Sequence, residues 1–255
     1  MSNPGNFIWY ELLTSDAQAA ERFYSDVIGW NAQDSGNPDM KYTLLTVNQA
    51  PVAGLMALSE AGGDPEMKPA WSGVIWTDDI DAKAAQVKEL GGKVLRDLGE
   101  IPNIGKFAVV ADPQGAAFQL FQPSGEQPDS PKPPTPGTIG WHELHSSNWE
   151  NAFTFYSKLF GWTKDQAMDM GPMGTYQLFA AGGDAIGGMM NSQEPSTPPN
   201  WQFYVCVDNI TAAEDRVKSK DGQILFGPQE VPGGAWILQC LDPQGAKFCL
   251  VGPRA

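Results

Sequence analysis

The order of apolar and polar positions at the start of the chain predicts a strand, a helix and then further strands. Residues 7–13 are rich in apolar side chains, which is typical of a short strand. Asp16 can cap a helix over residues 17–28, where apolar side chains recur every three to four positions and predict one face packed on a sheet. Gly29 is typical of a helix C-terminus. Two further strands are predicted at residues 42–47 and 52–57, whereas residues 31–40 carry little periodic signal.

The next stretch of sequence repeats this order of elements. A strand is predicted at residues 72–77 and a helix at residues 80–90, which Gly91 and Gly92 would end. Three more strands are predicted at residues 93–98, 106–111 and 116–122. The sequence Asp-Pro-Gln-Gly at residues 112–115 predicts a tight turn between the last two. Residues 7–122 are therefore interpreted as two units of the same strand-helix-strand-strand kind.

The whole pattern then occurs a second time, which identifies an internal duplication. Residues 9–30 align with residues 141–162, and the Asp-Pro-Gln-Gly turn recurs unchanged at residues 242–245. The offset between the copies changes by only a few residues, at positions where loops are expected. Matched pairs that matter below are Trp9 with Trp141, Glu11 with Glu143, Tyr42 with Tyr176, and Gly54 with Gly188.

A proline-rich segment separates the two copies. Six prolines lie between Gln122 and Thr138, and such a composition resists helix and strand and predicts a semi-extended spacer. We therefore predict a first domain at residues 1–122, a linker at residues 123–138 and a second domain at residues 139–255.

Composition and charge narrow the classes of function. A hydrophobic content of 42% with 11% aromatic residues is ample for packed cores. The net charge of −14 would repel a phosphate backbone, so we expect no nucleic-acid partner. The chain has no apolar run long enough to span a bilayer, no cluster of basic residues and no signal-like N-terminus, so we expect no membrane partner. Three cysteines without a spaced framework favour reduced thiols and a cytoplasmic location.

Two motifs of the repeat resemble those of a known family. Phe23-Tyr24 followed by Ile28-Gly29-Trp30, and the Asp-Pro-Gln-Gly turn before Phe118-Gln119-Leu120-Phe121, resemble the vicinal oxygen chelate superfamily. This superfamily includes glyoxalase I, bleomycin-resistance proteins and extradiol dioxygenases. The resemblance covers nearly the whole chain outside the linker. It implies an α+β fold of two tandem glyoxalase-like domains, each with paired βαβββ units that form an incompletely closed eight-stranded barrel around a cavity.

The same resemblance implies four metal-ligand positions in each copy, usually held by His, Glu or Gln. Carried over one at a time, these positions hold residues that bind divalent ions poorly, because indole cannot coordinate and a lone Gln is a weak neutral ligand. We therefore expect no metal and no other cofactor. The positions are Trp9, one near Gly54, Ser72 and Gln119 in the first copy, and Trp141, one near Gly188, Gln202 and Cys249 in the second.

Alternation along the first strands points to the candidate chemistry. Trp9 and Glu11 share one face in the first copy, as Trp141, Glu143 and His145 do in the second. The three charged or titratable groups, Glu11, Glu143 and His145, are candidate acid–base or ligand-anchoring residues. The alternative is a structural role: each glutamate bonded to a neighbouring element, the histidine a satisfied core side chain. Candidate ligand-binding residues are Trp9, Trp141, Tyr42, Tyr176, Ser72, Gln119, Gln202 and Cys249; for Cys249 a small buried hydrophobe is the alternative.

Three functions follow from these residues. The leading hypothesis is a glyoxalase/bleomycin-resistance-like protein that binds a small organic molecule without the family metal, between aromatic walls and oriented by Glu11 or Glu143. The second is a lyase or isomerase that acts on an aldehyde or hemithioacetal through Glu143 and His145. The third is a scaffold whose cavities are filled by its own side chains. Because the duplication can supply the pairing that single-domain relatives gain by dimerising, we expect a monomer.

Overall fold

The computed structural model describes residues 4–38, 40–62, 66–125, 130–194 and 196–254. The elements of the first copy are β1 (Phe7–Thr14), α1 (Ala17–Ile28), β2 (Asn31–Asp34), β3 (Thr43–Val47), β4 (Ala50–Ala57), α2 (Leu58–Ala61), β5 (Ala70–Trp76), α3 (Ile80–Glu89), β6 (Lys93–Ile101), β7 (Gly105–Ala111) and β8 (Ala117–Pro123). Those of the second are β9 (Ile139–Ser146), α4 (Trp149–Phe160), β10 (Thr163–Asp169), β11 (Thr175–Ala180), β12 (Ala185–Asn191), β13 (Asn200–Cys206), α5 (Ile210–Ser219), β14 (Gln223–Glu230), β15 (Trp236–Leu241) and β16 (Lys247–Gly252).

The predicted fold class is confirmed. Each copy builds one eight-stranded mixed sheet, with strand order β2-β3-β4-β1-β5-β8-β7-β6 in the first and β10-β11-β12-β9-β13-β16-β15-β14 in the second. Neither order returns to its first strand, so each sheet stays open and is not closed into a barrel. Each sheet consists of two βαβββ modules. Modules 1 and 2 begin at β1 and β5, and modules 3 and 4 begin at β9 and β13.

The helices form where capping residues predict them. The Asp16 side chain accepts a hydrogen bond from the amide of Ala19, which satisfies a free donor of the first turn of α1. At the other end Gly29 adopts φ 91°, a left-handed conformation that a residue with a Cβ adopts only with strain. Asn148 and Gly161 do the same for α4. The short helix α2 was not predicted from the sequence. Pro51 was predicted to lie in a turn, but β4 already begins at Ala50.

The chain separates into two compact units that combine modules from both copies. One unit comprises Met1–Ile8, Ser72–Asp129 and Trp141–Trp201, and thus joins modules 2 and 3. The other comprises Trp9–Trp71, Ser130–Gly140 and Gln202–Ala255, and joins modules 1 and 4. The domain boundaries drawn from the linker stay a prediction.

The two repeated motifs meet inside each unit. In the unit of modules 1 and 4, Tyr24 of α1 donates to Asp242 Oδ2 at 3.0 Å, and Trp71 Nε1 donates to the Tyr24 hydroxyl at 2.9 Å. In the unit of modules 2 and 3, Tyr156 of α4 donates to Asp112 Oδ2 at 3.3 Å. Trp201 donates to the Tyr156 hydroxyl at 3.0 Å. The helix motif of one copy therefore packs on the Asp-Pro-Gln-Gly turn of the other.

Burial and hydrogen bonding change the pKa of the turn aspartates, Asp112 and Asp242, in opposite directions. Burial raises the pKa of Asp112, while the backbone amides of Ala116 and Gln114 and the Tyr156 hydroxyl lower it in part. The turn carboxylate thus holds both its own turn and the helix of the other copy.

A matching pair of bonds fixes the indoles that end the motif helices: Trp30 Nε1 donates to the carbonyl of Gly137, and Trp162 Nε1 to that of Gly5, each at 2.8 Å.

The described end of the proline-rich segment is packed rather than free. Residues 130–138 contain no helix or strand, as predicted, but the Gly137 amide donates to the Cys206 carbonyl and the Cys206 amide to the Thr138 carbonyl, both at 2.8 Å. Together with the Trp30 bond to Gly137, these contacts anchor the segment to modules 1 and 4. Residues 126–129 of the predicted linker lie outside the described part.

Candidate functional site

The first strand of the second copy carries a continuous chain of hydrogen bonds. Trp141 Nε1 donates to the hydroxyl of Tyr176 at 2.8 Å, and that hydroxyl donates to Glu143 Oε2 at 2.9 Å. The other carboxylate oxygen, Oε1, lies 2.7 Å from His145 Nε2. Glu143 is buried, whereas the His145 side chain keeps 18% exposure. The structure therefore joins four predicted site residues in one hydrogen-bonded series: Trp141, Tyr176, Glu143 and His145.

The first copy repeats three of these four groups. Trp9 Nε1 donates to the Tyr42 hydroxyl at 2.9 Å, and Tyr42 is in turn hydrogen-bonded to Glu11. Leu13 stands where the second copy has His145. The tryptophan, tyrosine and glutamate thus form the shared part of the two sites, and the histidine is peculiar to the second.

Two glycines make room for the tyrosines. A Cβ added at Gly54 would lie 1.8 Å from the Tyr42 hydroxyl oxygen, and one at Gly188 would lie 2.3 Å from Cζ of Tyr176. Gly188 is the Cα partner of Glu143 across the parallel β12–β9 pair, as Gly54 is of Glu11 across β4–β1. A side chain at either glycine position would therefore collide with the ring that bonds the glutamate.

Both tyrosines are held in their protonated, donating form. Burial is the largest cause that raises the pKa of Tyr176 well above its ordinary value, and the adjacent Glu143 carboxylate raises it further. Burial and Glu11 act in the same way on Tyr42. The tyrosine hydroxyls therefore keep their protons through the neutral pH range, and they give a hydrogen-bond donor to the buried Glu143 and to the half-buried Glu11.

The second histidine of the chain faces away from this cluster, as its position on the strand predicts. His142 stacks on Phe7 with ring centroids 4.2 Å apart, and its Nδ1 lies 2.7 Å from the carbonyl oxygen of Ile186. Burial lowers its pKa to about 4. His142 is thus a neutral core residue near pH 7.

The remaining predicted residues lie on the strands of modules 2 and 4. Cys249 Sγ donates to Gln202 Oε1 at 3.4 Å, and both side chains are buried. Ser72 lies half-buried on β5, and Gln119 is buried on β8. Sequence reasoning missed two neighbours of the Gln202–Cys249 pair: Gln239 Nε2 donates to the Tyr204 hydroxyl at 3.0 Å.

The residues at the family's metal positions do not fit a metal ion. The indole nitrogens of Trp9 and Trp141 are donors and are already bonded to tyrosine hydroxyls. The tyrosine rings occupy the space at Gly54 and Gly188 where another ligand would project. Within the described ranges, no group of three or more His, Cys, Asp or Glu side chains has an arrangement that could hold a metal.

Comparison with known proteins agrees with the fold and the repeat. The sequence model of the glyoxalase/bleomycin resistance protein/dioxygenase superfamily matches residues 6–120 and again residues 138–250. The chain belongs to this superfamily. None of the helices that the structure describes in this glyoxalase-family protein has both the length and the apolar character needed to cross a bilayer.

Relatives of this glyoxalase-family chain share its full two-copy length. A protein of Mycobacterium tuberculosis named "Putative glyoxylase CFP32" is 31% identical over 96% of this chain and 94% of its own. The anthracycline biosynthesis protein DnrV of Streptomyces peucetius is 28% identical over 98% of this chain and 94% of its own. Both alignments therefore span the two copies of this chain.

Solved structures resemble this protein in fold alone. The Mn(II)-bound glyoxalase from Novosphingobium aromaticivorans superposes with a TM-score of 0.67 at 17% identity, covering all of this chain and 84% of its own. A catechol 2,3-dioxygenase gives 0.64 at 16% identity, covering all of this chain and 90% of its own. At such identities the likeness shows the fold alone, and the metal of the first structure is stated only of that protein.

Proposed function

We propose that this protein binds a small organic molecule without the metal of its superfamily, and that Glu11 or Glu143 orients the ligand. The observation that carries the proposal is the replacement of metal ligands by a bonded Trp–Tyr–Glu series in both copies. A carboxylate fixed by a tyrosine hydroxyl can accept a hydrogen bond from a ligand hydroxyl or bind a cationic group. The adjacent indoles offer flat apolar surface for an organic ring.

The relatives support an organic ligand. The superfamily's name includes bleomycin resistance, and two-copy relatives are named anthracycline biosynthesis proteins. We extend only the general class of ligand to this chain. We further propose a monomer, since each compact unit already joins modules from both copies. The three buried cysteines form no disulfide within the described residues, which favours a reducing, cytoplasmic location, and the charge of −14 argues against a nucleic-acid partner.

Two measurements on the purified protein test the proposal. Elemental analysis of protein prepared without added metal should show no stoichiometric Zn, Ni, Mn or Fe. Titration of tryptophan fluorescence against a panel of metabolites should give saturable changes, and single Trp9→Phe and Trp141→Phe variants assign each change to one copy. Glu143→Gln should weaken binding reported by Trp141 and leave binding reported by Trp9 intact. A flat response across the panel would contradict the proposal and favour the scaffold hypothesis.

A second function is favoured by one contact. The 2.7 Å bond between Glu143 Oε1 and the partly exposed His145 is a carboxylate–imidazole pair of the kind that moves protons next to a carbonyl. A lyase or isomerase acting on an aldehyde or hemithioacetal would use this pair in the second copy alone. Turnover of the methylglyoxal–glutathione hemithioacetal, lost in both Glu143→Gln and His145→Ala but kept in Glu11→Gln, would support it. Absence of turnover at high enzyme concentration would contradict it.

A further inference from the structure

Module 4 presents four polar side chains on adjoining strands, which we call the module 4 wall: Gln202, Tyr204, Gln239 and Cys249. Tyr204 is the Cα partner of Cys249 across the parallel β13–β16 pair, and Gln239 is its partner across the antiparallel β15–β16 pair. Gln202 and Tyr204 are two residues apart on β13 and therefore share a face of the sheet. The four groups thus lie together on three neighbouring strands.

One donor of this wall is unsatisfied. Gln202 is only 4% exposed, and its Oε1 accepts from the Cys249 thiol, but its Nε2 has no hydrogen-bond partner among the residues that the structure describes. The other amide of the wall, Gln239, uses its Nε2 on the Tyr204 hydroxyl. Buried N–H groups are nearly always paired in native proteins, so a specific unpaired one points to an acceptor that comes from outside the chain.

We infer that the Gln202 amide donates a hydrogen bond to an oxygen of the bound organic molecule, and that this oxygen is a neutral carbonyl. The inference rests on the proposed binding function and adds the chemical class of its ligand. The thiol of Cys249 bonds the amide oxygen, so Nε2 is the group of Gln202 that remains to donate to the ligand.

The chemistry of the wall selects a neutral acceptor over an anionic one. Its groups are two amides, a phenol and a thiol, and none of them carries a positive charge. A carboxylate or phosphate placed on the Gln202 amide would be desolvated without a compensating cation, which costs far more than one hydrogen bond returns. A ketone or amide carbonyl needs only the donor that Gln202 supplies.

The corresponding strands of module 2 provide an internal control. There the same register places Val74 and Val109 beside Gln119, where module 4 has Tyr204 and Gln239 beside Cys249. Ser72 stands in place of Gln202. Module 2 therefore lacks both the long amide donor on its first strand and the Tyr–Gln pair, so the carbonyl site is assigned to module 4 alone.

The test compares matched probes that differ by one carbonyl. Dissociation constants are measured by calorimetry for 1-tetralone, 1-indanone and 9-fluorenone, and for the carbonyl-free tetralin, indane and fluorene. Tetrahydro-1-naphthoate serves as the anionic probe. Wild-type protein, Gln202→Leu and Gln202→Ser are compared, the last carrying the residue that module 2 has. Circular dichroism and urea unfolding verify that each variant is folded.

The inference predicts that the full-length protein binds each ketone about tenfold more tightly than its hydrocarbon. Both Gln202 variants should lose this preference for ketone over hydrocarbon, and the naphthoate should bind the wild-type protein more weakly than 1-tetralone. Equal affinity for ketone and hydrocarbon would overturn the inference and would indicate that a buried water satisfies the Gln202 amide. The proposed binding function would remain intact. If none of the seven probes binds, the ligand class is wrong. The binding function itself fails only on a flat response in the metabolite titration.

Discussion

The first strands of the two copies place a tryptophan, a tyrosine and a glutamate in the same hydrogen-bonded order, yet they differ two positions beyond the glutamate. Leu13 occupies that position in the first copy, and His145 occupies it in the second and bonds the carboxylate of Glu143. The shared tyrosine is explained by a shared need, because the buried Glu143 and the half-buried Glu11 both require a hydrogen-bond donor. The histidine is not needed for that purpose, which is why the proposed proton-transfer role is placed in the second copy.

The largest effect on folding is expected when the chain is divided into its two copies. This experiment tests whether the copies are independent domains. Fragments 1–125 and 130–255 each contain a motif helix, but Tyr24 bonds Asp242 and Tyr156 bonds Asp112 of the other fragment. We expect neither fragment to be a folded monomer. Each should be unfolded or should pair with a second copy of itself, since each also carries the Asp-Pro-Gln-Gly turn. Mixing them should restore the native near-UV spectrum and a 1:1 complex in analytical ultracentrifugation.

The uncut chain is the control for this experiment. If each fragment alone is monomeric and unfolds cooperatively with the stability of the whole chain, the bonds between motif helix and turn contribute nothing, and the linker-based domain boundaries describe independent folding units.

Much of the fold could be predicted because its signals are local. The helix α1 occupies the predicted residues 17–28, because Asp16, Gly29 and the spacing of its apolar residues all act within the helix itself. The pairing of motif helix and turn between copies was not predictable in this way. Tyr24 and Asp242 are far apart in sequence. Asp112 begins an identical turn and is closer to Tyr24 along the chain, so no local pattern shows which of the two aspartates Tyr24 bonds.

The candidate site was predicted in its members but not in its connections. Trp9 and Trp141 follow from the family resemblance, and strand alternation then adds Glu11, Glu143 and His145. The role of the tyrosines depends on the space over Gly54 and Gly188, which strand alternation alone does not show. A signal was present: each tyrosine and its glycine match the other copy at the same offset, which indicates that the pair is retained together.

Adding a methyl group at these glycines should destabilise both copies alike. In Gly54→Ala the new Cβ would lie 1.8 Å from the Tyr42 hydroxyl oxygen, and in Gly188→Ala 2.3 Å from Cζ of Tyr176. Since each ring is held by an indole and a glutamate, we expect each substitution to lower the free energy of unfolding by about 2 to 3 kcal/mol in urea titrations. Gly183→Ala is the control, because a Cβ there meets no atom of the described residues within 4 Å apart from its chain neighbours. Losses as small as the control's would mean that the tyrosines do not lie over the glycines.

Acid should destabilise the second copy through His142, whose counterpart in the first copy is Tyr10. Burial lowers the pKa of His142 to about 4, below its value in the unfolded chain, so the unfolded state binds the proton first as the pH falls. Its contribution to stability is therefore present above about pH 6.5 and decreases towards pH 4. Between pH 7 and pH 5, protonation of this histidine in the unfolded state should lower the free energy of unfolding by about 2 kcal/mol. The decrease should be smaller by this amount in His142→Gln, measured by urea unfolding at both values; an identical decrease in wild type and variant would assign acid sensitivity elsewhere.

The smallest expected effect is the difference between the two tyrosines. Tyr176→Phe removes one donor from Glu143, but the His145 bond to the other oxygen remains, whereas position 13 offers no histidine to Glu11. We expect Tyr42→Phe to cost about 2 kcal/mol of unfolding free energy and Tyr176→Phe about 1 kcal/mol. In a His145→Leu background, which gives the second copy the residue of the first, the cost of Tyr176→Phe should rise to that of Tyr42→Phe. Equal costs for both tyrosines in the wild-type background would show that His145 does not support Glu143, and the assignment of proton-transfer chemistry to the second copy would lose its structural basis.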